Sequence, residues 1–176
     1  MRSFRSPQRG VSLIVTLVLL VFITILGLSA IRTVTQEERM STQTYDRSLA
    51  FQATEATLRQ AEGWVEAAKP MPTSGCASYT VPSSSSHVMV CSPPVATNTP
   101  RWEDSTFASW TDAPTVGTGD VAITPSYFVE YLGSSFPCRP GNASDPMSCK
   151  RYRVTARVVG GSDRASIMLQ SVYATD

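Results

Sequence analysis

The chain has 176 residues, 42% hydrophobic and 16% charged, which is enough for one modest globular domain and an appendage. Fifteen basic residues against 14 acidic ones leave a net charge of +1, so the whole chain carries no electrostatic footprint for nucleic acid. The apolar content is too high, and the net charge too low, for a disordered chain.

Residues 1–10, MRSFRSPQRG, hold Arg2, Arg5 and Arg9 and no acid. Residues 11–31, VSLIVTLVLLVFITILGLSAI, hold neither charge nor proline. As a helix rising about 1.5 Å per residue they reach roughly 31 Å, the thickness of a bilayer's hydrocarbon core. The core helix of a soluble protein is seldom apolar around its whole circumference. The segment therefore reads as a transmembrane helix. The positive-inside rule keeps the basic leader in the cytoplasm and puts residues 32–176 outside it. A secretory signal fits less well: its apolar stretch is shorter, and its small-residue cleavage site is imitated here only by Ser29-Ala30.

From Arg32 to Ala68 there is no proline, and Gly63 is the only glycine, so the helix is expected to continue. Over 50–68, Phe51, Leu58, Ala61 and Val65 stand at helical spacing, and Ala50, Ala53, Trp64 and Ala68 widen the stripe. Thr54 and Thr57 dilute it. Glu55 and Arg59 are four apart in the favourable order, and Lys69-Pro70 ends the helix. The alanine-rich stripe is too small and irregular for a coiled-coil seam, so packing on a sheet through Phe51, Leu58, Ala61, Trp64 and Val65 is expected.

Beyond Pro70 the texture changes to turn signals separating strand-like runs. The runs are 79–81, 87–91, 126–132 (SYFVEYL), 150–159 (KRYRVTARVV) and 165–174 (ASIMLQSVYA). In 150–159, Tyr152, Val154, Ala156 and Val158 fall on one side and Arg151, Arg153, Thr155 and Arg157 on the other. Gly160-Gly161-Ser162-Asp163 connects the last two runs as a hairpin. Residues 92–125 are a long connection with Trp102, Phe107 and Trp110 as its anchors. The expected class is α+β: a long N-terminal helix, transmembrane and then amphipathic, packed on a small antiparallel sheet. The chain divides into a basic leader (1–10), a transmembrane half-helix (11–31), an amphipathic continuation (32–68) and a disulfide-stapled sheet domain (69–176).

Four cysteines allow three pairings. Cys76–Cys91 and Cys138–Cys149 are favoured, because each joins segments close in sequence, and disulfides suit an oxidising compartment. Zinc is disfavoured, since no C-x-x-C spacing exists and His87 is the only histidine. Catalysis has little to stand on. His87 sits in SSSSHVMV without a nucleophile motif, and neither a phosphate loop nor a dinucleotide fingerprint occurs. The run 141–145 offers oxygen ligands without EF-hand spacing, and Asn142-Ala143-Ser144 matches a glycosylation sequon. The row Arg151, Arg153, Arg157 reads as a solvated outer face whose stems cover the sheet, a shallow footprint for phosphates. Neither an enzyme nor a cofactor is expected.

The junction Arg9-Gly10 before VSLIVTLVLL resembles the type IV prepilin signal. That resemblance implies a peptidase cut after Gly10 and N-methylation of Val11. The fifth mature residue, a glutamate in most pilins that neutralises a neighbour's N-terminal ammonium, is Val15 here. A buried ammonium without a partner is costly, so such a subunit suits a filament tip, where no neighbour stands above it. Arg9-Gly10, Glu37-Glu38-Arg39-Met40, Asp46-Arg47, Leu49-Ala50-Phe51-Gln52-Ala53 and Glu55-Ala56 are together similar to the N-terminal region of PilX-type minor pilins. The resemblance implies a pilin-like fold and work in pilus assembly, within a priming complex at the tip. The implied partners are other minor pilins, the major pilin, the prepilin peptidase, the inner-membrane assembly machinery and a large tip adhesin. The rivals are a minor pseudopilin of a type II secretion system and an uncleaved, membrane-anchored periplasmic binding module.

Overall fold

The computed structural model describes residues 11–119, 122–139, 141, 148–161 and 164–175. Its elements in chain order are α1 (Val11–Ala68), β1 (Cys76–Thr80), β2 (His87–Cys91), β3 (Thr111–Asp112), β4 (Ser126–Phe136), β5 (Cys149–Val158) and β6 (Ile167–Thr175). The chain forms two compact units that divide between Thr44 and Tyr45.

In the first unit every residue from Val11 to Thr44 is helical and exposed. The helix runs unbroken through Gly27 and Ser29. Its hydroxyls are satisfied locally: Thr16 donates to the Leu13 carbonyl at 2.9 Å and Thr24 to that of Val21 at 2.8 Å. Such back-bonding satisfies both threonine hydroxyls on a largely hydrocarbon surface.

In the second unit, α1 buries Ala50, Ala53, Thr54, Thr57, Leu58, Ala61 and Val65. The two threonines belong to this face because their hydroxyls are spent inside the helix. Thr54 donates to the Ala50 carbonyl at 2.7 Å and Thr57 to that of Ala53 at 2.9 Å. Phe51 does not belong to it. Phe51 is 46% exposed, and the expectation that it packs on the sheet is corrected. The buried face is centred on small residues that let the backbone come close, and Phe51 falls one step outside that centre. Lys69 ends the helix with a positive φ of 43° and a 2.7 Å bond from its N–H to the Val65 carbonyl, and Pro70 prevents continuation.

The sheet order is β1-β2-β4-β5-β6, with β3 paired to β4. All pairings are antiparallel except β2 with β4, which is parallel through Val90–Val129 and Cys91–Glu130. The expected antiparallel sheet is thus a mixed one. A parallel neighbour needs a crossover, and residues 92–125 supply it. β4 extends past Leu132 to Phe136 through register shifts at Gly133, whose φ of 134° few other residues adopt. β1 begins at Cys76, and Val81 lies beyond its end.

The main core lies between α1 and the sheet. Leu58, Ala61 and Val65 meet Val88, Val90, Tyr127, Val129, Tyr152, Val154 and Ala156, with Trp64 packed alongside. A second cluster joins Ala50 and Ala53 to Ile123 and Val158. Polar contacts fix the helix in place. Glu62 accepts from the Ser171 hydroxyl at 2.5 Å, Glu66 from the Tyr173 hydroxyl at 3.2 Å, and Asp46 from the Ala165 N–H at 2.7 Å. Gly160 has no room for a side chain, since a Cβ there would lie 2.1 Å from the Arg164 carbonyl oxygen. Ser162 and Asp163 of the expected hairpin turn lie outside the described residues.

Candidate functional site

Two surfaces stand out. The first is the apolar helix. Among the described residues α1 is the one helix long and apolar enough to cross a membrane. Val11 is its first residue and is 62% exposed, and Val15 lies one turn on. Gly10 and the rest of the leader lie outside the described residues.

The second is the sheet face that points away from α1. From Tyr127 to Tyr131, strand β4 is buried on both of its faces. Tyr127, Val129 and Tyr131 turn to the helix, whereas Phe128 and Glu130 turn outward and are covered by the 92–125 connection. Glu130 is fully buried between two guanidinium groups. Its Oε1 accepts from Arg101 at 2.6 Å, and its Oε2 accepts from Arg153 Nη2 at 2.6 Å and Nε at 2.8 Å. Arg101 also donates to the Ser92 carbonyl at 2.9 Å. The crossover is therefore pinned to the middle of the sheet by a charge that would be costly without its partners.

Around this triad lies an aromatic layer. Phe107 and Trp110 each stand edge-on to Phe128, with centroids 4.7 Å away. Three arginines of β5 lie over rings: Arg151 over Phe136 at 4.7 Å, Arg153 over Trp102 at 4.4 Å and Arg157 over Trp110 at 3.6 Å. The expected solvated row is corrected here. All three arginines are half-buried: Trp102 and Trp110 of the crossover cover Arg153 and Arg157, and Phe136 of β4 covers Arg151. Burial lowers the Arg157 pKa from its ordinary value. A cleft of about 990 Å³ opens along 94–105, with Phe107 and Arg153 on its wall.

On the helix side, burial pushes the Tyr127 hydroxyl up to about 12. Tyr152 is raised as well, first by burial and then by neighbouring Tyr131, and it donates to the Pro70 carbonyl at 2.8 Å. Disulfides join Cys76 to Cys91 and Cys138 to Cys149. The first closes the β1–β2 pair at its end, and the second links the chain before β5 to that strand's first residue. His87 is exposed at the start of β2, and its carbonyl accepts from the Tyr127 hydroxyl at 3.4 Å. Among the described residues no group of acids, histidines and cysteines is arranged to hold a metal. Most of the 141–145 oxygen ligands and the Asn142 sequon lie outside them.

Of the residues expected to join helix to sheet, Leu58, Ala61, Trp64 and Val65 come together and Phe51 does not. Sequence reasoning missed Glu130. The available signal was a lone acid in the otherwise uncharged run SYFVEYL. An acid between large apolar residues is either an outward-facing side chain or a buried one awaiting a partner, and the row of arginines on β5 supplied that partner.

Two family models match the chain, one over each surface. The family model described as PilX N-terminal matches residues 9–59. The model described as Type IV pilus assembly protein PilX C-term matches residues 61–175. No curated protein and no solved structure matches the chain. The first match spans the leader junction and the apolar helix, and the second spans the sheet and its crossover. Together they cover nearly the whole chain, which therefore belongs to the PilX family of type IV pilus assembly proteins.

Proposed function

We propose that this minor pilin is processed at Gly10–Val11, N-methylated on Val11, and then primes filament growth in a complex with other minor pilins. The observation that carries the reading is that Val15 occupies the position where filament subunits hold a carboxylate, within a chain that matches the PilX family from residue 9 onward. An uncharged side chain one turn from the new N-terminus offers a neighbour's ammonium no partner. A subunit of that kind is excluded from the repeating shaft and tolerated at the tip. The basic leader holds the N-terminus in the cytoplasm, the 11–31 segment spans the inner membrane, and the sheet domain lies in the periplasm. The partners are other minor pilins, the major pilin, the prepilin peptidase, the inner-membrane assembly machinery and a large tip adhesin. The chain performs no bond chemistry itself; it is a peptidase substrate.

The test is intact mass and N-terminal sequencing of membrane-extracted protein from cells with and without the prepilin peptidase. The expected product starts at Val11 and is about 14 Da heavier than the bare cleavage product. A chain still starting at Met1 in peptidase-positive cells overturns the reading. Position in the filament is tested with Val15→Glu, which should admit the subunit to the shaft. Immunogold labelling that stays at filament ends in this variant removes the argument from Val15.

A further inference from the structure

Sheet edges in natural proteins are protected by charges, prolines, bulges or shortness, because an open row of N–H and C=O groups recruits another strand. Strand β6 has none of these protections. It is an edge strand of nine residues, IMLQSVYAT, without charge or proline. It pairs with β5 without a break from Ile167 to Thr175. Among the described residues no strand pairs with its other side. Its outward-facing side chains include two exposed apolar ones, Met168 at 44% and Val172 at 61%. The opposite edge, β1, has five residues and is closed at one end by the Cys76–Cys91 disulfide.

We infer that the free edge of β6 is a docking site for an extended segment of a partner protein, which adds a strand to the sheet. The chemistry of that segment follows from the two faces it would continue. On the outer face it adjoins Met168 and Val172, so alternate residues are apolar. On the helix face it adjoins Ser171 and Tyr173, whose hydroxyls hold the carboxylates of Glu62 and Glu66. Glu66 has Lys69 at 3.3 Å, whereas Glu62 forms no ion pair among the described residues. The helix-facing side of the segment therefore carries a basic residue near Ser171. A second copy of this chain is the poorer occupant, because pairing β6 with itself brings the same acids against one another. Backbone hydrogen bonds supply affinity in this mode, and the alternate side chains supply choice of partner.

The inference rests on the reading of the chain as a pilus-assembly subunit with partners of its own, and the two fail separately. Photo-crosslinking residues are placed at positions 168 and 172 of the full-length protein in cells that assemble pili, with position 95 as a control. N-terminal processing is read in the same preparation. The expected result is that 168 and 172 capture two residues about four apart on one extended segment of one partner, while 95 does not. A synthetic peptide of that segment then binds the detergent-extracted protein, and Glu62→Gln, which keeps an oxygen to accept from Ser171 and removes only the charge, weakens it at least tenfold. Scattered crosslinks, crosslinks to lipid, crosslinks to β6 of another copy, or a peptide indifferent to Glu62→Gln each overturn the inference. Processing at Val11 without a β6 crosslink sinks this inference alone, and loss of processing sinks the reading beneath it.

Discussion

Glu130 is the residue on which the outer half of the domain depends. A carboxylate with no exposure is tolerated because two guanidinium groups face it at 2.6 Å. Removing it leaves two half-buried like charges side by side. Glu130→Ala should cost about 3 kcal/mol or more, read as a lower denaturant midpoint, and it should raise protease cleavage within 92–125. Gly160→Ala forces a Cβ against the Arg164 carbonyl and should cost about 1–3 kcal/mol by the same measurement. Tyr127 gives a pH dependence of known sign. Its folded pKa of about 12 lies above the ordinary 10, so the folded state favours the neutral phenol. The associated stability is fully present below pH 10 and is lost as pH rises from 10 through 12. Unfolding followed by tyrosinate absorbance should show this decline, and Tyr127→Phe should remove its share of it. The sequence displayed Glu130 as an oddity without revealing its partners. Arg101 is 29 positions away, and only the parallel crossover brings it to β4.

At the scale of elements, α1 was legible in its extent and less so in its orientation on the sheet. Absence of proline and the Lys69-Pro70 stop place its end at Ala68. A stripe counted by hydrophobicity includes Phe51 and discounts Thr54 and Thr57. Packing reverses this, because a threonine bonded to its own helix is a small, satisfied side chain, and a phenylalanine needs space the close approach denies it. Phe51→Ala should therefore change stability by less than about 0.5 kcal/mol, while Ala61→Leu should destabilise by about 1–3 kcal/mol in the same unfolding assay. The strands were legible wherever alternation was clean, as in β5. β3 was not, since two residues carry no periodicity, and β4 runs further than its apolar run because Gly133 bends the strand without ending it.

At the scale of the sheet domain, the parallel junction between β2 and β4 organises everything else. It makes the 92–125 crossover necessary, and the crossover covers the outer face of β4 at Phe128 and Glu130. Nearest-neighbour pairing cannot be read from local pattern, so an antiparallel sheet was the expectation and a mixed sheet the outcome. Hydrogen exchange should rank the strands accordingly, with amides of β4 and β5 slowest and those of β1 and β6 fastest. A bound strand on β6 should slow β6 selectively. Reduction of Cys76–Cys91 removes a cross-link over 15 residues and should cost about 3 kcal/mol in the chain-entropy account.

The sheltered triad also decides how the domain responds to its medium. The Debye length falls from about 8 Å in physiological saline to about 3 Å at 1 M ionic strength. The contacts around Glu130 are shorter than either, and its carboxylate has no exposure to solvent. The Arg59–Glu55 pair stands in open solvent and weakens as soon as salt is added. Brine and dilute buffer should therefore leave the crossover equally docked, so that the sheet domain keeps one shape across changing salinity.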